Sequence, residues 1–115
     1  MRFKIVTLFP DFFESPLKSG LLGRAIEAGI VSVDMVNIRH FSEDRYNKCD
    51  DYPYGGGAGM VLMPGPLSKA LDSTVSAGAR VIMTSPGGRL LDHEMVVELA
   101  KNDEVCILCG HYEGV

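Results

Sequence analysis

Two short segments carry the residue types that bind or transform a ligand. One is Thr84-Ser85-Pro86-Gly87-Gly88-Arg89; the other is Gly110-His111-Tyr112-Glu113-Gly114. Each follows an apolar run of strand character, Val81-Ile82-Met83 and Val105-Cys106-Ile107-Leu108-Cys109. In open parallel sheets, ligands bind beyond the carboxyl ends of strands, where adjacent connections diverge. Glycines at such ends let main-chain groups come close to a ligand. The second segment adds an imidazole, a phenol and a carboxylate at consecutive positions. Spacing alone fits a pair of tight strand-to-helix turns equally well. At Gly110, a side chain is expected to meet the neighbouring turn or the ligand, or to demand a backbone angle that β-branched residues avoid.

Other chemistries fail on detail. The cluster Gly55-Gly56-Gly57-Ala58-Gly59 is not followed by Lys-Ser/Thr, so it is no Walker-type phosphate loop, and no G-x-G-x-x-G opens a helix after a strand. Its neighbours Tyr54 and Met60 suggest a loop packed against another backbone or a flat ligand. Cys106 and Cys109 form a C-x-x-C, but inside a strand the two project to opposite faces. They read as small buried hydrophobes. Structural zinc needs four ligands, and no second cysteine pair exists. His40, His93 and His111 have no metal spacing, and nothing ties a serine, a histidine and an aspartate together.

The elements that would position the two segments follow from periodicity. Phe3 to Phe9 is β-branched and aromatic and stops at Pro10, which removes a ladder donor. Asp11 to Glu14 starts a short helix that Pro16 is expected to interrupt. Leu22, Ala25 and Ile26 repeat at helical spacing, and Gly29 supplies a stop. Ile30 to Ile38 alternates as a second strand. From Arg39 to Met63 the pattern dissolves into a charged, then glycine-rich, stretch of a length that is usually functional. Pro64 and Pro66 open a helix expected to run to Gly78; Val81 to Met83 reads as a short buried strand. Asp92 caps a helix with the stripe Met95, Val96, Leu99, Ala100, and Val105 to Cys109 is the last strand. This alternation predicts one α/β domain with a mainly parallel sheet and flanking helices.

Composition agrees. The 115 residues are 46% hydrophobic with a formal net charge of −4, which excludes disorder and suits one domain. No apolar run approaches a membrane span, and the N-terminus lacks the apolar core of a signal peptide, so a cytoplasmic location is expected. A pI near 5.2 argues against a surface that coats nucleic acid, though a local basic patch or segment is compatible with it.

Four motifs in one order and register carry a resemblance over essentially the whole chain. They are Thr7-Leu8-Phe9-Pro10, Asp50-Asp51-Tyr52-Pro53-Tyr54-Gly55-Gly56-Gly57-Ala58-Gly59-Met60, Ser85-Pro86-Gly87-Gly88-Arg89, and Cys109-Gly110-His111-Tyr112-Glu113-Gly114. Together they resemble the bacterial tRNA (guanine-N1)-methyltransferases, which methylate the guanine just 3′ of the anticodon. The resemblance implies a knotted, SPOUT-type α/β fold, S-adenosylmethionine as donor, tRNA as substrate and a homodimer. It implies a donor site from Met83, Thr84, Ser85, Pro86 and Gly88, continued by Gly110, Tyr112 and Glu113. Tyr54, Gly55, Gly56, Gly57 and Gly59 resemble the segment that shapes the target-guanine pocket. Glu113 takes a supporting electrostatic role, and the principal base lies outside the chain. The chain is thereby expected to be an incomplete N-terminal portion of the methyltransferase domain, without the knot-forming segment and inactive alone. A non-catalytic nucleotide-binding or dimerisation module would use the same strand-end glycines; 1-methylguanine in tRNA discriminates the two.

Overall fold

The structure is a computed structural model that describes residues 1–53, 55–57 and 59–111. A four-stranded sheet of order β2-β1-β6-β5 forms its centre: β1 (Arg2–Thr7), β2 (Ser32–Asn37), β5 (Arg80–Met83) and β6 (Glu104–Leu108). All three pairings are parallel, with Val6 level with both Val36 and Leu108. The α/β architecture with a parallel sheet is therefore as expected. The central strands β1 and β6 bury Val6, Val105 and Cys106, each at most 1% exposed.

Local sequence explains the connections. Pro10 begins a 3-10 turn (Pro10–Phe13) that runs into α1 (Glu14–Leu17) and α2 (Gly20–Glu27). Pro16 does not interrupt. It lies in the first turn of α1, where its missing N–H would have no intrahelical partner in any case. Gly29, at φ +77°, ends α2: its N–H donates to the Ile26 carbonyl and that of Ile30 to the Ala25 carbonyl, satisfying two end carbonyls.

The stretch expected to be structureless is organised. A 3-10 turn (Ile38–Phe41) follows β2, and the short strands β3 (Asp50–Asp51) and β4 (Val61–Leu62) pair antiparallel around the glycine cluster. The feet of this hairpin, Cys49 and Leu62, are buried with Leu8, Ile38, Leu67 and Ala70 in the main core. Burial of those two residues, together with a hydrogen bond from the Met63 N–H to the Cys49 carbonyl (2.6 Å), fixes a pair of two-residue strands, one of them wholly acidic, that propensity alone would not form.

Helix α3 (Pro64–Thr74) packs Pro66, Leu67 and Ala70 into the core. It stops before Gly78, because Val75 turns extended, and Gly78 (φ +84°) serves the turn into β5 instead. Strand β5 is not buried: as the sheet edge it leaves Val81 45% and Met83 49% exposed. Asp92 caps α4 (His93–Leu99) as expected, its carboxylate accepting from the Met95 N–H at 2.8 Å. Of the expected stripe, Met95 and Leu99 are half-buried while Val96 and Ala100 are exposed.

At the amino end of the sheet, Glu104 is 4% exposed and accepts from the Ser76 N–H (3.1 Å) and hydroxyl (3.3 Å). Lys4 Nζ lies 3.5 Å from its carboxylate and also donates to the Thr74 carbonyl; Arg2 stands at 3.9 Å. Burial opposes ionisation of Glu104, but the Ser76 hydrogen bonds and the two cations outweigh it and hold the carboxyl below its ordinary range.

Candidate functional site

The two segments singled out for chemistry leave neighbouring strands at the carboxyl end of the sheet. Thr84 joins them: its N–H and its hydroxyl both donate to the Leu108 carbonyl, at 3.1 and 3.3 Å. The turn after β5 closes by a hydrogen bond from the Gly88 N–H to the Ser85 carbonyl (3.2 Å), and Ser85 Oγ accepts from the Gly87 N–H (3.3 Å). Met83, Thr84, Ser85, Pro86, Gly88 and Gly110 are all exposed there. The structure thus gathers six of the expected donor-site residues at one edge. Tyr112, Glu113 and Tyr54 lie outside the described residues.

None of the described glycines at this edge is forced by its backbone angle. Gly87, Gly88 and Gly110 all lack a left-handed φ, and a Cβ on Gly110 would meet nothing within 4 Å. The expectation that a side chain at Gly110 would strain the main chain or strike the neighbouring turn is therefore corrected. Space, not conformation, is what glycine leaves there. On Gly88 a Cβ would stand 3.4 Å from the Ser85 carbonyl, an ordinary contact.

The glycine hairpin reverses that pattern. Gly55, Gly56, Gly57 and Gly59 have φ of +81°, +94°, +113° and +85°, and a Cβ on any of the first three would enter open space. The expected close packing of this loop against another backbone is absent at those three positions. They are glycines because the turn requires angles that side chains rarely adopt.

A feature the sequence reading missed lies beside the first edge. Between the carboxyl ends of β1 and β6 opens a cavity of about 280 Å³, lined by Thr7, Phe9, Phe12, Phe13, Cys109, Gly110 and His111. The Cys109 N–H donates to the Val6 carbonyl (2.9 Å), clamping the two strand ends at its floor. Phe9 is held on two sides, by the His111 ring (centroids 4.8 Å apart, edge-on) and by the Arg39 guanidinium 5.4 Å above its face. Phe12 and Phe13 meet edge-on at 5.5 Å, and Phe12 remains 78% exposed. The available signal was Phe12-Phe13 immediately after a proline-terminated strand. Burial pushes the Cys109 thiol up, so Cys109 is a protonated wall residue, not a poised thiolate.

Comparison with known proteins decides the family. The model of the tRNA (Guanine-1)-methyltransferase TrmD family matches residues 1–115. The chain belongs to this family. A tRNA (guanine-N(1)-)-methyltransferase of Oleidesulfovibrio alaskensis is 52% identical over all of the chain and 27% of its own length. The Synechocystis protein of the same name is 48% identical over all of the chain and 50% of its own length. A crystal structure of tRNA (m1G37) methyltransferase from Aquifex aeolicus superposes with a TM-score of 0.90 at 38% identity, over 100% of this chain and 53% of that one. The chain therefore spans about half the length of most of the family members it matches, or less. No helix among the described residues is long and apolar enough to cross a membrane.

Proposed function

We propose that this chain is the front part of an enzyme that methylates N1 of the guanine just 3′ of the anticodon in tRNA, with S-adenosylmethionine as donor. The observation that carries the reading is the family match over the whole chain, on a sheet whose adjoining strand ends present exposed main chain and glycine. The residues fit such a donor. Exposed main-chain groups of the Met83–Pro86 turn read the edges of a neutral ring without added charge, Pro86 through its carbonyl alone, and the open space at Gly110 admits it. The family resemblance adds Tyr112 and Glu113 to that site, with a supporting electrostatic role for Glu113. When bound, the donor supplies an electrophilic methyl group. Tyr54, Gly55, Gly56, Gly57 and Gly59 shape the pocket for the target guanine at the interface of a cytoplasmic homodimer.

Holding N1 in line with the methyl group accounts for ~7–11 kcal/mol of barrier. Removal of the N1 proton adds about 10²–10⁴-fold. The group that takes this proton belongs to the length that the relatives have beyond the matched region, so residues 1–115 alone bind the donor weakly and carry no turnover. The test is mass-spectrometric assay of 1-methylguanine in unmodified tRNA transcripts bearing guanine or adenine beside the anticodon. A polypeptide of the relatives' length is expected to modify only the guanine transcript. Turnover by the 115-residue chain would place the base within it; no product from the longer polypeptide would remove the reading.

A further inference from the structure

We propose that the cavity between the ends of β1 and β6 is a stacking pocket for one unpaired base of the RNA, a neighbour of the methylated guanine. The inference rests on the RNA-methyltransferase reading above. Three phenylalanines and a histidine surround about 280 Å³, below the ~300–1,000 Å³ of pockets for drug-sized ligands and suited to a single ring system. Monomers seldom gather exposed large aromatics around a hollow without use for them. Here Phe12 is 78% and Phe9 44% exposed. Phe9 is a fixed platform, since Arg39 covers one face and His111 braces its edge. Arg39 is itself anchored by donating from Nε to the Leu8 carbonyl (3.4 Å).

The chemistry of the lining selects the occupant. Among the described residues its lining has no carboxylate, and its one basic group, the His111 imidazole, is engaged edge-on with Phe9. A base that only stacks needs no such group, and aromatic walls hold any base by its face. The Thr7 hydroxyl on the cavity wall is 4% exposed and accepts from the Phe9 N–H (3.1 Å), which fixes the end of β1 beneath the hollow. The pocket shares Gly110 with the proposed donor site. That sets the stacked base beside the donor, to which the reacting base must also come.

The experiment titrates this chain with a short unpaired RNA carrying 2-aminopurine beside a guanine, whose emission falls when its ring stacks. The wild-type chain is expected to quench the probe. Phe12→Ala is expected to weaken binding at least about tenfold and abolish the quench; Phe12→Tyr restores both, and Phe12→Leu, apolar but not planar, restores neither. Binding and quench unaffected by Phe12→Ala overturn the pocket and leave the methyltransferase reading standing. No RNA binding by the wild-type chain overturns the pocket, while the methylation assay with the longer polypeptide still judges that reading separately. Loss of quench on adding S-adenosylmethionine assigns the pocket to the donor's adenine and overturns it. So does a Phe12→Ala chain that changes only its sedimentation, which gives the surface to a second copy.

Discussion

The hairpin glycines and the strand-end glycines read alike in the sequence and behave oppositely in the fold. Gly55, Gly56, Gly57 and Gly59 sit at left-handed angles, whereas Gly87, Gly88 and Gly110 do not. In the hairpin the side chain is missing because the backbone forbids it. At the strand ends the backbone would accept one, so what the missing side chain provides is room. A glycine of the first kind protects the folded state; a glycine of the second kind protects a ligand's place.

The largest effect that could break this contrast is on stability. Gly57→Ala is expected to cost ~1–2 kcal/mol, the strain of a side chain at a left-handed angle. Denaturant unfolding measures it, and faster hydrogen exchange at the Met63 amide, which is bonded across the foot of the hairpin, localises it. A D-alanine at the same position, free to adopt positive φ, should recover the loss.

In a polypeptide of the relatives' length, Gly110→Val should show the reverse ranking. Its added atoms enter open space, so unfolding stability should stay within about 0.5 kcal/mol. Affinity for S-adenosylmethionine should fall at least tenfold, about 1.4 kcal/mol. Donor titration beside thermal unfolding of the same variant measures both. A stable variant with unchanged affinity removes Gly110 from the site.

A third variant tests whether stability and ligand affinity separate elsewhere. Glu104 lies at the opposite end of the sheet, and its carboxyl is held below the ordinary value. Its ionised form therefore stabilises the fold fully above the unfolded value of ~4.3 and ceases to do so as pH falls through the lower, folded value. Glu104→Gln should lower the melting temperature at neutral pH, and the gap to wild type should close in acid, with donor affinity unchanged. The smallest effect is expected at Gly88→Ala, within about 0.5 kcal/mol of stability, since its Cβ would make only an ordinary contact with Ser85.

What the sequence disclosed follows the same division between local and distant causes. The alternation of strand and helix, the Asp92 cap and the Gly29 stop are local, and all are present. Val81-Ile82-Met83 misled because an apolar run does not say whether a strand has one neighbour or two, and among the described residues β5 has one. The pairing of Asp50-Asp51 with Val61-Leu62 was illegible because burial of Cys49 and Leu62 enforces it, not strand propensity. At the site, the exposed turn from Thr84 to Gly88 and its neighbour Gly110 were readable as strand ends. The phenylalanine cavity was not, since its walls come from the two ends of the chain and meet only once β1 lies beside β6.

That pairing has a consequence for how the chain is made. Arg2 is level with Glu104, so the strand synthesised first takes its central place only beside one made much later. At about 5–20 residues per second, roughly 5–20 s pass between the emergence of β1 and that of β6 from a ribosome. Throughout that interval β1 has only β2 to pair with, and its other edge stays open to any passing strand. A cell making this protein must therefore shelter a nascent sheet edge until β6 emerges, and a pause ahead of codon 104 lengthens the exposure.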